Sequence, residues 1–238
     1  MKKGYIPNQH GAWAMLLIPF LFGMFAAKPN GVHALLFLGW LLVYLFSFPF
    51  LQWIRTQKWQ VYGKPMLLYG GLLIPVAVSL LLARPELWKW IPWFIPLFIV
   101  NCYYAKKKRE RAFLNDLAAV IQFSLIVFVA YHVGSGDNWT LATELFGLSI
   151  LYFTGTIFYV KTIIREKNNV AFYRFSIGYH VVSMAIALIL FPPGILIPLF
   201  LLLLRAIWFP RTKITVKRSG MLEIAFSLIM AITALSVF

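Results

Sequence analysis

Three short stretches hold the side chains most able to do chemistry. PNQHG at 7–11 brings Asn8, Gln9 and His10 to the start of an apolar run. QWIRTQKWQVYGK at 52–64 carries Gln52, Arg55 and Lys64, and YVKTIIREK at 159–167 carries Lys161, Arg165 and Glu166. Cations, amides and an imidazole in this mixture suit the holding of an anion. Guanidinium and ammonium groups make charge-assisted hydrogen bonds to phosphate, and a histidine adds a charge that appears near neutral pH. Gln52 and Thr56 stand four residues apart, as do Lys161 and Arg165, so each pair shares one face of a helix. The two faces are expected to line one mouth, with Asn8, Gln9 and His10 covering it. A plainer reading of PNQHG is a helix start, its polar groups satisfying the free N–H groups of the first turn while Trp13 anchors at an interface.

Reaction chemistry has less support. No HExxH, CxxC, GxSxG or phosphate-loop pattern occurs, so zinc hydrolase, thiol redox, serine hydrolase and nucleotide hydrolase classes are not indicated. The one cysteine, Cys102, cannot form an internal disulfide. Asn115 and Asp116 are expected to cap a helix, Asn101, Gln122 and His180 to hydrogen-bond between helices, and Glu223 to pair with Arg218 or Lys217. No cofactor and no metal is expected.

The elements that must position these residues follow from composition. With 61% hydrophobic and 12% charged residues, the chain is a multi-pass integral membrane protein, one domain over 1–238 and all-α. Apolar runs bounded by charge, proline or glycine fall at 11–27, 32–51, 66–83, 87–104, 113–133, 141–160, 175–191, 194–209 and 221–238, which gives a bundle of nine transmembrane helices. The first run is read as a retained span, because cleavage after Ala27 would place Phe25 where a leader needs a small side chain. On nine spans, 19 of the 22 lysines and arginines fall on one side. Flanking cations stay in the cytoplasm, so the N-terminus is expected inside and the C-terminus outside a bacterial cytoplasmic (inner) membrane. The net charge of +15 then reads as a topology signal and an attraction to anionic lipid, not as a nucleic-acid surface.

PNQHGAWAMLLIPFLFG and GTIFYVKTIIREK are similar to the YwiC-like family of bacterial membrane proteins. Nine spans, an inside N-terminus and polar segments after spans two and six also resemble the UbiA superfamily of intramembrane prenyltransferases, as does the basic run AKKKRERAFLNDLAAV at 105–120. The UbiA resemblance implies two aspartate-rich motifs that hold magnesium and a prenyl diphosphate in those segments. This chain has only two aspartates, Asp116 and Asp137, and neither lies there. Magnesium needs hard oxygen ligands, so the reading leans away from an enzyme. It favours a protein that binds an anionic or isoprenoid lipid in a cytoplasm-facing polar mouth, its partners being membrane lipids. A prenyltransferase and a small-molecule transporter are the alternatives.

Overall fold

A computed structural model describes residues 5–7, 10–212 and 214–238, with the side chains of His10, Val216 and Lys217 excepted. Asn8 and Gln9 lie outside the described residues, and of His10 only the backbone, the first residue of a helix, is described. Ten α-helices follow in order: α1 His10–Ala26, α2 Gly31–Thr56, α3 Trp59–Ala83, α4 Ile91–Lys106, α5 Phe113–Ser124, α6 Ile126–Val133, α7 Trp139–Ile164, α8 Val170–Leu190, α9 Leu196–Trp208 and α10 Val216–Val237. With α5 and α6 taken as one interrupted span, these are the nine apolar runs of the sequence. Among the described residues, seven of the nine are long and apolar enough to cross a membrane. The other two are α1, with 17 residues, and α4, with 16 after a 3-10 turn at Pro85–Trp90. At 1.5 Å per residue each reaches about 25 Å, close to the hydrocarbon thickness.

Several helices run past the apolar limits. α2 continues to Thr56 and α3 begins at Trp59, so the polar stretch after span two is helix on both sides of a two-residue link. The turn is made by Gln57 at φ 57°, whose side-chain amide donates to the Ile54 carbonyl at 2.9 Å. α7 likewise extends through Lys161 to Ile164. Polar side chains there reach water while the backbone ladder goes on unbroken.

At the end of the bundle away from these polar turns, caps tie neighbouring spans together. Asn30 accepts from the Val32 amide at 3.0 Å, and its own Nδ2 donates to the Val133 carbonyl at 2.9 Å. His33 is buried: Nδ1 accepts from the Asn30 amide at 3.1 Å, which leaves Nε2–H to donate to the Ala130 carbonyl at 2.9 Å. Nearby, the half-buried Glu86 carboxyl is held below its usual range by a backbone hydrogen bond, Arg84 and His132.

α1 stands between two packed cores. Ile18 and Phe22 join Val127, Leu148, Leu199 and Met230, whereas Leu16 and Phe20 join Trp40, Ile126, Ala130 and Val133. Gly23 allows this, since a Cβ there would run into the Val127 carbonyl oxygen and reach within 2.9 Å of the Ala130 Cβ. Apolar lipid gives such contacts no hydrophobic drive, so close packing and hydrogen bonds hold the helices together.

Candidate functional site

One face of α7 organises the site. Phe153, Thr156, Ile157, Val160, Lys161, Ile164 and Arg165 recur at intervals of three and four, and all line a cavity of about 480 Å³. The facing wall is α10, through Ser219, Gly220, Glu223, Ile224 and Ser227. Gly11, Ala12, Ala14 and Met15 of α1 close one side, and Arg111 and Asp116 at the start of α5 close the other. The cavity thus gathers the first turns of α1, α5 and α10 with the last turns of α7. Those ends lie together when nine spans alternate in direction.

Its outer part is ionic. Lys161 Nζ lies 2.9 Å from Asp116 Oδ2 and donates to the Arg111 carbonyl at 3.0 Å, with the ammonium also 5.7 Å from the centre of the Phe113 ring. Arg165 closes α7 as its last cap and is exposed at the rim. Three cations, Arg111, Lys161 and Arg165, therefore face a single acid there. Farther in, the wall turns apolar through Met15, Phe153, Ile157 and Ile224.

The inner end holds a second ion pair. Glu223, 5% exposed, takes both of its hydrogen bonds from Arg205 Nη1 of α9, at 2.6 and 2.7 Å. The Arg205 guanidinium is stacked 4.1 Å from the centre of the Tyr159 ring and 5.3 Å from that of Phe226. Around the pair, Tyr152 OH and Ser227 Oγ share a hydrogen bond of 2.7 Å. Among the described residues, Arg205 Nε and Nη2, Thr156 Oγ1 and Tyr159 OH have no hydrogen-bond partner. Charges inside a membrane bundle face protein or a cavity and mark sites of function.

The structure brings together only part of the set read from the sequence. Lys161 and Arg165 line the cavity, and the His10 backbone immediately precedes Gly11 in its wall. Gln52, Arg55 and Lys64 lie outside the lining. The Gln52 carbonyl accepts from Thr56 Oγ1 at 2.7 Å, Lys64 is exposed, and Arg55 Nε stands 3.0 Å from Glu110 Oε1, out of hydrogen-bond alignment. Glu166 lines a separate hollow of about 160 Å³ with Tyr173 and Arg211, and accepts from Asn169 Nδ2 at 2.8 Å.

Four expectations are corrected. Glu223 pairs across to α9 and not with the basic flank of its own helix, because it sits on the face of α10 turned towards Arg205. Asp116 bonds Lys161, and α5 starts from Ala112 without a side-chain cap, although Asp116 in the first turn still suits the helix dipole. Asn101 donates to the Leu97 carbonyl at 2.9 Å, and His180 Nδ1 bonds the Ser176 carbonyl at 2.7 Å, so each bonds within its own helix, and His180 Nε2 has no partner among the described residues. Arg205, counted in the sequence as a flanking cation, is 2% exposed in the bundle interior. A stripe of Ser219, Glu223 and Ser227 at i, i+4, i+8 in a mostly apolar helix was the sequence feature that could have pointed inward.

A family model described as YwiC-like protein matches residues 6–131, just over half of the chain. A Bacillus subtilis (strain 168) protein named "Uncharacterized protein YwiC" is 39% identical over 228 residues, which cover 93% of each chain. The chain belongs to the YwiC-like family. A Haemophilus influenzae protein is 32% identical over 244 residues, covering 98% of each chain. The YwiC-like match takes in α1 to α6 and so the α1 and α5 walls, while the relatives extend over α7 and α10 as well. No solved structure matches.

Proposed function

We propose that the cavity holds the headgroup of a phosphate-bearing lipid, at the cytoplasmic end of a bundle seated in the bacterial inner membrane. The observation that carries this reading is the polarity gradient within a single hollow. Three cations against one acid form the mouth, and the wall below is mostly apolar, with Thr156, Glu223 and Ser227 set into it. Such a wall accepts an acyl or isoprenoid chain while the rim accepts oxyanions. A volume of about 480 Å³ suits a headgroup and the first part of a chain. The cytoplasmic placement rests on the concentration of lysine and arginine at this end. The class is a lipid-binding or accessory membrane protein.

A prenyltransferase using magnesium fits less well. The two carboxylates of the cavity, Asp116 and Glu223, are each held by their own cation, and the described residues contain no group of three His, Cys, Asp or Glu placed to hold a metal. Diphosphate ionisation needs charge neutralisation that these residues do not assemble around a metal. Transport is the second reading, favoured by the Arg205–Glu223 pair in the bundle interior.

The test is binding of dioctanoyl phosphatidic acid to detergent-solubilised protein, with dioctanoyl phosphatidylcholine as the zwitterionic control. Lys161→Ala removes one charge-assisted contact worth about 1.5–3 kcal/mol, so affinity falls about ten- to a hundredfold. Arg165→Ala, at the wetter rim, has a smaller effect. Equal binding of both lipids, unchanged by either substitution, refutes the reading.

A further inference from the structure

The cations of the mouth are not spent on the protein around them. Lys161 gives one of its three N–H donors to Asp116 and one to the Arg111 carbonyl, which leaves the third free at the cavity. The Arg111 and Arg165 guanidiniums line the same cavity and form neither a hydrogen bond nor an ion pair among the described residues. All three cations stand close enough to the Asp116 carboxylate to act on its charge, so they form one cluster around that acid. Glu223, the other acid of the wall, has both oxygens bonded to Arg205 and balances none of them. The described mouth therefore keeps two positive charges in excess. Helix ends add to it: α1, α5 and α10 begin here and only α7 of the lining helices ends here. Free amide groups at a helix start carry partial positive charge.

The size of that excess chooses among phosphate lipids. A phosphodiester headgroup carries one negative charge and offers two unesterified oxygens. A terminal phosphomonoester carries close to two charges above about pH 6 and offers three. The mouth is partly closed to water, the Lys161 side chain being 15% exposed. A single negative charge there leaves one cation without a counterion, and a second is worth more than it would be at an open surface. We propose that the lipid held here ends in a phosphomonoester, its three terminal oxygens meeting Arg111, Lys161 and Arg165, and that diester lipids are the poorer ligands. The inference rests on the proposed binding of a phosphate-bearing lipid in this cavity and names its headgroup. The one ester link then leads inward, to the chain lying along Phe153 and Ile157.

The groups that face the phosphate are few. From α7 there are Lys161 and Arg165, from the start of α5 Arg111 and Asp116, and from α10 the paired Glu223, deeper in. The described side chains of α1 in the wall, Ala12, Ala14 and Met15, carry no titratable group.

Dioctanoyl phosphatidic acid and dioctanoyl phosphatidylmethanol differ by one methyl group, which removes the second charge. In calorimetric titrations of the full chain in detergent at pH 8, phosphatidic acid should bind about tenfold more tightly, the worth of one partly screened charge-assisted contact. The cations hold the second pKa of the bound phosphate below its free value of about 6, so this advantage is complete above the free value and fades as pH falls through the bound one. At pH 5 it should be about twofold. Both lipids meet the same protein groups, whose own titration cancels in the ratio. Arg111→Gln, a change at an exposed side chain, should lose most of the preference at pH 8, whereas Lys64→Gln, at an exposed cation outside the cavity, should keep it. Equal affinities at pH 8, a preference unchanged at pH 5, or one reduced no more by Arg111→Gln than by Lys64→Gln would each overturn the phosphomonoester assignment and leave lipid binding standing. If neither lipid binds better than dioctanoyl phosphatidylcholine, the headgroup reading falls and the assignment with it. Glycerol 3-phosphate carries the same dianion without the chains and should bind about a hundredfold more weakly, burial of roughly four methylenes alone accounting for that. Binding as tight as that of phosphatidic acid would make the occupant a soluble phosphomonoester and overturn the lipid.

Discussion

Removing Arg205 alone and removing it together with Glu223 should have opposite consequences. In Arg205→Met the guanidinium, 0% exposed, is replaced by an apolar chain, and Glu223 is left as a buried charge whose two hydrogen bonds have gone. Stranding one member of such a pair costs about 3–5 kcal/mol. Loss of the guanidinium stacked 4.1 Å from the Tyr159 ring adds to it. In Arg205→Met with Glu223→Leu no charge remains, and the unpaired Nε and Nη2 donors are gone too. The double variant should match wild type or exceed it by about 1–4 kcal/mol. For a chain of this size a kilocalorie moves the melting temperature by about 2–4 °C, so the single variant should melt on the order of 10 °C lower and the double variant should recover that loss. Thermal unfolding in mild detergent can be followed by a thiol-reactive dye at Cys102, the one cysteine and a half-buried one. A double variant as unstable as the single, or a single variant within about 1 kcal/mol of wild type, would refute the electrostatic account.

The α1–α6 contact gives a steric test. Gly23→Leu forces the side chain into the Val127 carbonyl and should destabilise by about 1–3 kcal/mol or more, measured by the same melt, whereas Gly71→Leu, with open space around its Cα, should leave it unchanged. Topology is tested with reporters: one after Phe238 should behave as extracytoplasmic and one within 106–111 as cytoplasmic, and the reverse pattern would place the cationic mouth on the outer face.

The apolar runs and their proline and glycine breaks were legible in the sequence because each span must satisfy its backbone internally, so length and hydropathy nearly suffice. Pro192, Pro193 and Gly194 do end α8, as their side-chain chemistry requires. Helix ends were less legible. The four-residue spacing of Gln52 and Thr56 put both on one helical face, and the hydrogen-bond ladder of α2 does continue through them, but no breaker marked Leu125, where α5 gives way to α6, and nothing in the structure explains why the change falls there. Lys161 and Arg165 were readable as a pair on one face. Arg205 was not, because a cation near a span end has the same sequence signature whether it faces headgroups or the bundle interior. Which face is inward depends on neighbours far along the chain, here α7 and α10.

The unequal burial of the helices has a consequence for how the chain can vary. Over its most apolar stretch α7 is 56% buried and α3 only 6%. Leu67, Leu72, Ile74, Val78 and Leu82 of α3 point away from the rest of the protein. Selection at those positions sees little beyond hydrophobicity, so leucine, isoleucine, valine and phenylalanine should exchange there almost freely. On α7, Tyr152, Thr156 and Tyr159 sit among fixed partners, and even a change that conserves volume meets a specific neighbour. A saturation library of the two helices would accordingly recover an alphabet of many apolar letters along α3 and of very few along α7.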